Sequence, residues 1–332
     1  MTDSRFDVLG IGNAIFDILG HVHDDTLTEN NLAKGSMRLV TAEEALAVDA
    51  LLTDAVRISG GSAGNTVAGV ASLGGRAAFI GKVAPDTYGD AYRRDMHHIG
   101  IEFTTPALVD GPPTATSIIL VTPDGERTMN TFLGASQMLT VDDIDFDLVD
   151  AAAITFLEGY LFDPDAAKEA FRAAADRANA SGRIAALTLS DAFCIERHRA
   201  DFLDWMDRGQ IGLVFANIAE TRALFQTDDL DAAGKALAER VPTVVITMDA
   251  KGARVITNGE QVEVPAQPTE VVDLTGAGDL FAGGFMMGHA RGLPPAECAR
   301  LGTIAASEVI SHFGARPQVD LDELAKKAGF SF

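Results

Sequence analysis

Cysteine is nearly absent from this chain, with Cys194 and Cys298 alone, so thiols supply neither a framework of bridges nor a zinc-ligand set. Basic side chains are also few. The 26 Lys and Arg face 48 Asp and Glu, a formal net charge of −22. A surface for nucleic acid or an anionic membrane needs a basic patch that this balance does not offer. No apolar run reaches the ~18 residues of a membrane-spanning helix. The N-terminal MTDSRFD lacks signal-peptide character, so a cytoplasmic, reducing location is expected. Aromatics make up 7% of the residues against 47% hydrophobic, which describes an aliphatic, Ala- and Gly-rich core. At 332 residues the chain can bury most of that surface, and one main body with a small insertion is the expected organisation.

What the chain does have is concentrated in Asp273-Leu274-Thr275-Gly276-Ala277-Gly278-Asp279, which runs into the apolar Leu280-Phe281-Ala282-Gly283-Gly284-Phe285. The pattern predicts a small-residue turn entering a helix. Gly276, Ala277 and Gly278 leave the N–H groups of the first helical turn open to an anion. Asp279 falls where a carboxylate is electrostatically favoured and beside any phosphate held there, placed to take a proton from an attacking hydroxyl. The same residues are compatible with a helix cap that packs closely.

Taken in order, Phe6 to Gly12 reads as a buried strand stopped by glycine, followed by Asn13 and Asp17. Gly10-Ile11-Gly12 is not a dinucleotide fingerprint, because Ile15 stands where the third glycine belongs. Asn13 and Asp17 offer a polar pair suited to vicinal hydroxyls, or an Asx turn. From His21 to Thr41 the pattern is irregular; His21, His23, Asp24 and Asp25 lack a second cluster at fixed spacing and read as solvated loop rather than a zinc site. A polar helix over Ala42 to Leu52 follows. Gly60-Gly61-Ser62-Ala63-Gly64-Asn65-Thr66 opens a helix of small residues running to Leu73, in which Asn65 can both donate to and accept from a hydroxyl pair. Gly81-Lys82 lacks the upstream spacing of a P-loop. The runs Ser117–Thr122 and Arg127–Phe132 flank the turn Pro123-Asp124-Gly125 as a hairpin. After about Asp150, strands over 153–157, 184–189, 212–216 and 243–247 alternate with helices, the pattern of a mostly parallel sheet covered on both faces. Ligands in such sheets collect beyond the strand carboxyl ends. There stand Glu158 and Tyr160, Ser190 and Asp191, Asn217 and Glu220, and Thr247 to Gly252. Asn217 and Glu220, one helical turn apart, suit either metal-bound water or a helix cap.

The words GAGDLFAGGF and Gly60 to Thr66 resemble the two signatures of the ribokinase-like (PfkB) carbohydrate and nucleoside kinase family, and the resemblance covers essentially the whole chain. It implies an α/β fold, a ribokinase-like three-layer α/β/α sandwich with a small β-rich lid. Residues 1–332 would form one kinase domain, with the lid contributed by about 14–40 and 101–133. The implied reaction uses ATP and Mg2+, with a monovalent cation such as K+ near Asp273 and the closing Phe313-Gly314-Ala315-Arg316 loop. Asp279 would be the base, the backbone of Gly276, Ala277 and Gly278 the anion hole, and Arg127 a charge reaching the transferred phosphate. Asn13, Asp17, Gly61 and Asn65 would contact the substrate. Leu133, Ala135 and Tyr160, with Phe162 in place of Tyr160 as an alternative and Leu32 or Met37 as a shield, would line a base pocket. Asn217, Thr247, Asp249, Gly252 and Gly278 would bind ATP, and Asn217 with Glu220 would order water around Mg2+. The family often has Leu-Gly where this chain has Met248-Asp249. The four-residue spacing of Asn13 and Asp17 is more similar to adenosine kinases than to ribokinases. The expected acceptor is therefore a nucleoside, adenosine first, with a free sugar as the rival, in a monomer or homodimer. A sensor that kept the fold without catalysis would have no use for Asp279.

Overall fold

The computed structural model describes residues 4–332. Among them the strands are β1 (Phe6–Ile11), β2 (Ile15–His21), β3 (Met37–Leu39), β4 (Val56–Ser59), β5 (Ala77–Ile80), β6 (Ala115–Val121), β7 (Arg127–Phe132), β8 (Ala152–Glu158), β9 (Ile184–Thr188), β10 (Leu213–Asn217), β11 (Thr243–Thr247), β12 (Ala253–Thr257) and β13 (Glu260–Val264). Eight of them form one sheet in the order β13-β12-β11-β10-β9-β8-β1-β5. From β5 to β11 every pairing is parallel, and β12 and β13 add an antiparallel edge across the Asn258-Gly259 turn.

The parallel strands are short apolar runs because both of their faces are covered. Alternate side chains feed two cores. Val8, Phe79, Phe156, Phe215 and Val245 pack with the helices Ser62–Ser72, Ala277–Ala290 and Pro295–Val309. Leu9, Ile11, Leu157, Leu187, Val214 and Ile246 pack with Asp165–Ala180, Ala192–Asp207 and Leu230–Ala238. This is the three-layer sandwich that the alternation of strands and helices predicts.

The smaller sheet has the order β3-β7-β6-β2-β4. Its hairpin β6–β7 falls where the Pro123-Asp124-Gly125 turn predicts it. Three features differ from the sequence reading. Residues 15–21 form β2, a strand the sequence reading did not assign, so Asp17 lies within a strand rather than just past the end of β1. The stretch expected to be irregular from His21 to Thr41 contains the helix Asp24–Glu29 and the edge strand β3. β4 joins this sheet before the chain returns to the larger one at Gly60. For β2, β3 and β4, pairing with distant strands orders segments whose local pattern is weak.

The register aligns Ile58, Asp17, Ser117, Thr131 and Leu39 in one row across all five strands. Partners in a row share a face of the sheet. On the opposite face Phe16 stacks on Tyr88 of the helix Thr87–His98, with ring centroids 5.2 Å apart, and Ile18, Ile118 and Leu120 are buried in the same core. The row holding Asp17 is thus the face not committed to the core.

Candidate active site

The turn before Ala277–Ala290 is built by its glycine. Gly276 has φ 78° in the left-handed region, and a Cβ there would meet Ala315 at 2.9 Å. Past it, Ala277 N–H is bonded to Leu274 O, but those of Gly278 and Asp279 have no hydrogen-bond partner among the described residues, and no side chain caps the helix. A Cβ on Gly278 would meet nothing within 4 Å. Two free N–H groups at the positive end of a 14-residue helix, facing open space, form a cradle for an anion.

Asp279 stands at the mouth of this cradle. Its Oδ1 accepts from Ser62 Oγ at 2.6 Å and its Oδ2 from Asn65 Nδ2 at 3.0 Å. Burial raises its pKa, while Ser62, Asn65 and the charge of Arg316 oppose the rise. Asn65 Oδ1 is buried without a partner, an acceptor open to a hydroxyl of a ligand. Ser62 and Asn65 are presented by a turn at Gly61, whose φ is 81° and where a Cβ would collide with Asn13 O. Only glycine lets the two sequence motifs meet.

Asn13 does not pair with Asp17. Its Nδ2 donates to Glu158 Oε1 at 2.7 Å and its Oδ1 accepts from Gln137 Nε2 at 3.0 Å. Glu158 also accepts from Ala63 N–H at 2.8 Å, so this buried carboxyl ties the ends of β1 and β8 to the helix that presents Ser62. Its pKa is pushed up to about 7 by burial, against the hydrogen bonds that it accepts. Asp17 lies against Gly60, with its pKa also raised to about 7; burial is the main cause, Arg316 opposes it and Asp279 adds to it.

Arg127 is not a solvated hairpin residue. Its Nη1 lies 2.8 Å from Asp273 Oδ1, joining the smaller sheet to the anion-binding turn. Asp273 is buried and also accepts from Thr275 N and Oγ1 and from Gly314 N. A second link between the two parts is the edge-on contact of His21 with Phe313, 5.3 Å between centroids.

The remaining residues sit as follows. Tyr160 is 39% exposed, its N–H and hydroxyl bonded to Ser190, whereas Phe162 is buried against Phe202 and Trp205 and cannot serve in its place. Leu32 is likewise buried in the core, while Met37 on edge strand β3 is exposed. Ala135 is fully buried with its N–H bonded to Pro113 O, and Leu133 adjoins it, half-buried. Asn217 and Glu220 make a reciprocal capping box: Asn217 N–H and Nδ2 donate to Glu220 at 2.9 and 2.6 Å, and Glu220 N–H donates to Asn217 Oδ1. Burial pushes Glu220 up to about 7. Thr247 ends β11 beside Asn217, Asp249 has φ 50°, and Gly252 is pressed against the backbone of Val264.

Sequence reasoning missed Gln137, Ser117, Thr131 and the supporting role of Glu158. Ser117 and Thr131 bond each other at 2.9 Å in the row of Asp17. Their signal was faint: hydroxyls at alternate positions of otherwise apolar strands.

A parallel sheet that brings an anion cradle, a hydrogen-bonded carboxylate and an open hydroxyl acceptor to one end defines a phosphotransferase acting on a hydroxyl group. The chain belongs to the pfkB family of carbohydrate kinases, whose description matches residues 32–321. It is similar to the crystal structure of adenosine kinase from Sinorhizobium meliloti, at 47% identity over 98% of this chain and 100% of that one, with a TM-score of 0.92. A probable sugar kinase protein from Rhizobium etli CFN 42 is 46% identical over 98% and 99% of the two chains, also with a TM-score of 0.92. Adenosine kinase 2 of Arabidopsis thaliana is 26% identical over 94% of this chain and 96% of its own length. The fold is ribokinase-like, and the family uses ATP. No helix among the described residues is long and apolar enough to cross a membrane.

Proposed function

We propose that this kinase transfers the γ-phosphate of ATP to the 5′-hydroxyl of a nucleoside, adenosine first. The observation that carries the chemistry is Asp279, held by Ser62 and Asn65 at the entrance of a cradle with two unpaired N–H groups. Asp279 takes the proton of the acceptor hydroxyl as its oxygen attacks the γ-phosphorus, the bond to the bridging oxygen breaks, and ADP leaves. The N–H groups of Gly278 and Asp279 meet the charge on the transferred group. Arg127 brings a cation to the same turn from the smaller sheet, which acts as a lid that positions the acceptor and excludes water.

Asn217 and Glu220 supply oxygen chemistry suited to water-coordinated Mg2+, and their mutual hydrogen bonds leave further lone pairs free. Bound Mg2+ neutralises the phosphate oxygens. Asn217 and Glu220 have the second duty of starting the helix Ile218–Phe225. Asp17, Asn65 and Gly61 face the acceptor, and Tyr160 offers its exposed ring to a base. Thr247, Asp249 and Gly252 line the donor nucleotide. Two free, buried cysteines fit a cytoplasmic protein.

The likeness to the Sinorhizobium meliloti enzyme supports adenosine. A free sugar is the second reading, favoured by the hydroxyls of Ser117 and Thr131 beside Asp17. The test is ADP release with Mg-ATP against adenosine, inosine, guanosine, cytidine, ribose and fructose, compared by kcat/KM. Preference for adenosine is expected; preference for ribose or fructose replaces the base pocket with a polyol site, and turnover with none of the six overturns both readings.

A further inference from the structure

The loop that closes the larger body carries a cation that the reaction as described does not use. Arg316 Nε donates to Ser59 O at 2.9 Å, Nη1 to Gly64 O at 2.7 Å and Nη2 to Ser59 Oγ at 3.2 Å, with Met96 Sδ at 3.7 Å. Ser59 ends β4 and Gly64 lies in the first turn of Ser62–Ser72. The two carbonyls bracket residues 60–63, the turn that presents Ser62 to Asp279, with Asn65 next in sequence. A planar fork that grips a carbonyl on each side fixes the span of this turn, which a single-point donor cannot do.

The guanidinium also brings charge. Asp17 and Asp279 both feel it, in opposition to the burial of their carboxyls. The groups facing Asp279 are Ser62 and Asn65 from the helix, Arg316 from the closing loop, Asp17 from β2, and Glu158 and Tyr160 from the end of β8. Arg316 is the cation in that set. Its outer side borders an open surface pocket of about 690 Å3, lined also by Ile58, Ala68, His98 and Asp320.

We propose that Arg316 is a positioning residue for phosphoryl transfer: its fork sets the Gly60–Gly64 turn so that Ser62 and Asn65 hold Asp279, and its charge keeps that carboxylate ready to receive a proton. This rests on Asp279 serving as the base. The test compares wild type, Arg316→Gln and Arg316→Lys in protein carrying 13C at the aspartate carboxyls, with the Asp279 resonance identified by its loss in Asp279→Asn. In Arg316→Gln the titration midpoint of Asp279 rises by about half a pH unit or more, and the acid limb of kcat/KM moves with it. Arg316→Lys, which keeps the charge but grips one carbonyl at a time, leaves the midpoint in place and lowers kcat about tenfold. A midpoint and limb unchanged in Arg316→Gln overturn the proposal, whatever the melting temperature. If Arg316→Gln does not fold, Arg316→Lys decides alone, and full kcat in it overturns the proposal. The titration needs no substrate, so failure of the acceptor panel refutes the proposed function separately.

Discussion

Replacing Asp279 by Asn separates the chemistry of this site from its architecture. The carboxylate accepts from Ser62 and Asn65, and an amide in its place puts an NH2 group where one acceptor oxygen stood. The structure contains the remedy. Asn65 Oδ1 has no partner, so a flip of the Asn65 amide lets it accept from the new NH2 group, while Ser62 continues to donate to the remaining oxygen. The hydrogen bonds therefore survive, and the carboxylate charge whose burial raises the pKa of Asp279 is removed. A carboxyl whose folded pKa is raised makes the fold less stable above that pKa than a neutral isostere would, so the melting temperature at pH 8 should stay level or rise. Proton transfer has no such remedy. Loss of a general base costs about 10²–10⁴ in rate, or about 3–5 kcal/mol in the barrier. Single-turnover ADP formation beside a thermal melt at the same pH reads both quantities. Turnover within tenfold of wild type at an unchanged melting temperature would refute the assignment of Asp279 as base.

Two further outcomes follow from the charges. Arg127→Met breaks the ion pair with Asp273, but Asp273 keeps three donors from Thr275 and Gly314, so the loss of stability should be about 1–2 kcal/mol, a fall of about 1.5–3 °C. Turnover at saturating substrates should fall more than about tenfold, because the cation is lost from the turn that receives the phosphate; a melting shift without a kinetic one would make the pair purely structural. Glu158 and Glu220, both pushed up to about 7 by burial, lose their protons near ~4.3 in the unfolded chain. Between those values the folded state holds protons that the unfolded state has released, so stability declines as pH rises through that window, by at most about 1.4 kcal/mol per pH unit for each group. Melting temperatures should be higher at pH 6 than at pH 8, with a shallower slope in Glu158→Gln. A melting temperature that climbs from pH 6 to 8 would contradict the burial of these carboxyls.

The larger sheet was legible because each strand is a short apolar run punctuated by glycine or a polar cap, and β11 has the predicted bounds. The glycine turn into the helix was legible because Gly276, Gly278 and Asp279 lie within a few residues of one another. The Asn217–Glu220 capping box was legible too, as one of two readings of the same pair. The smaller sheet was harder. β2 alternates half-buried and buried residues, with Asp17 on the half-buried side, and its strand character is secured only by β4 and β6. Arg316, Glu158 and Gln137 act on groups more than 90 residues away in sequence, and no local pattern encodes such a meeting.

The pairing of β2 with β6 sets Asp17 opposite Ser117, so the face of the smaller sheet that holds Asp17 depends on two segments made far apart in time during synthesis. Until β6 and β7 have emerged, β2 has β4 as its only neighbour in the sheet. Contacts of such long sequence separation are slow to form. A slip of one residue in this register would turn Asp17 to the opposite face. A nascent chain ending before Ala115 would therefore lack the strands on one side of β2, and excising the smaller sheet as a single contiguous insert would fail, since two separate excursions of the chain are woven into it.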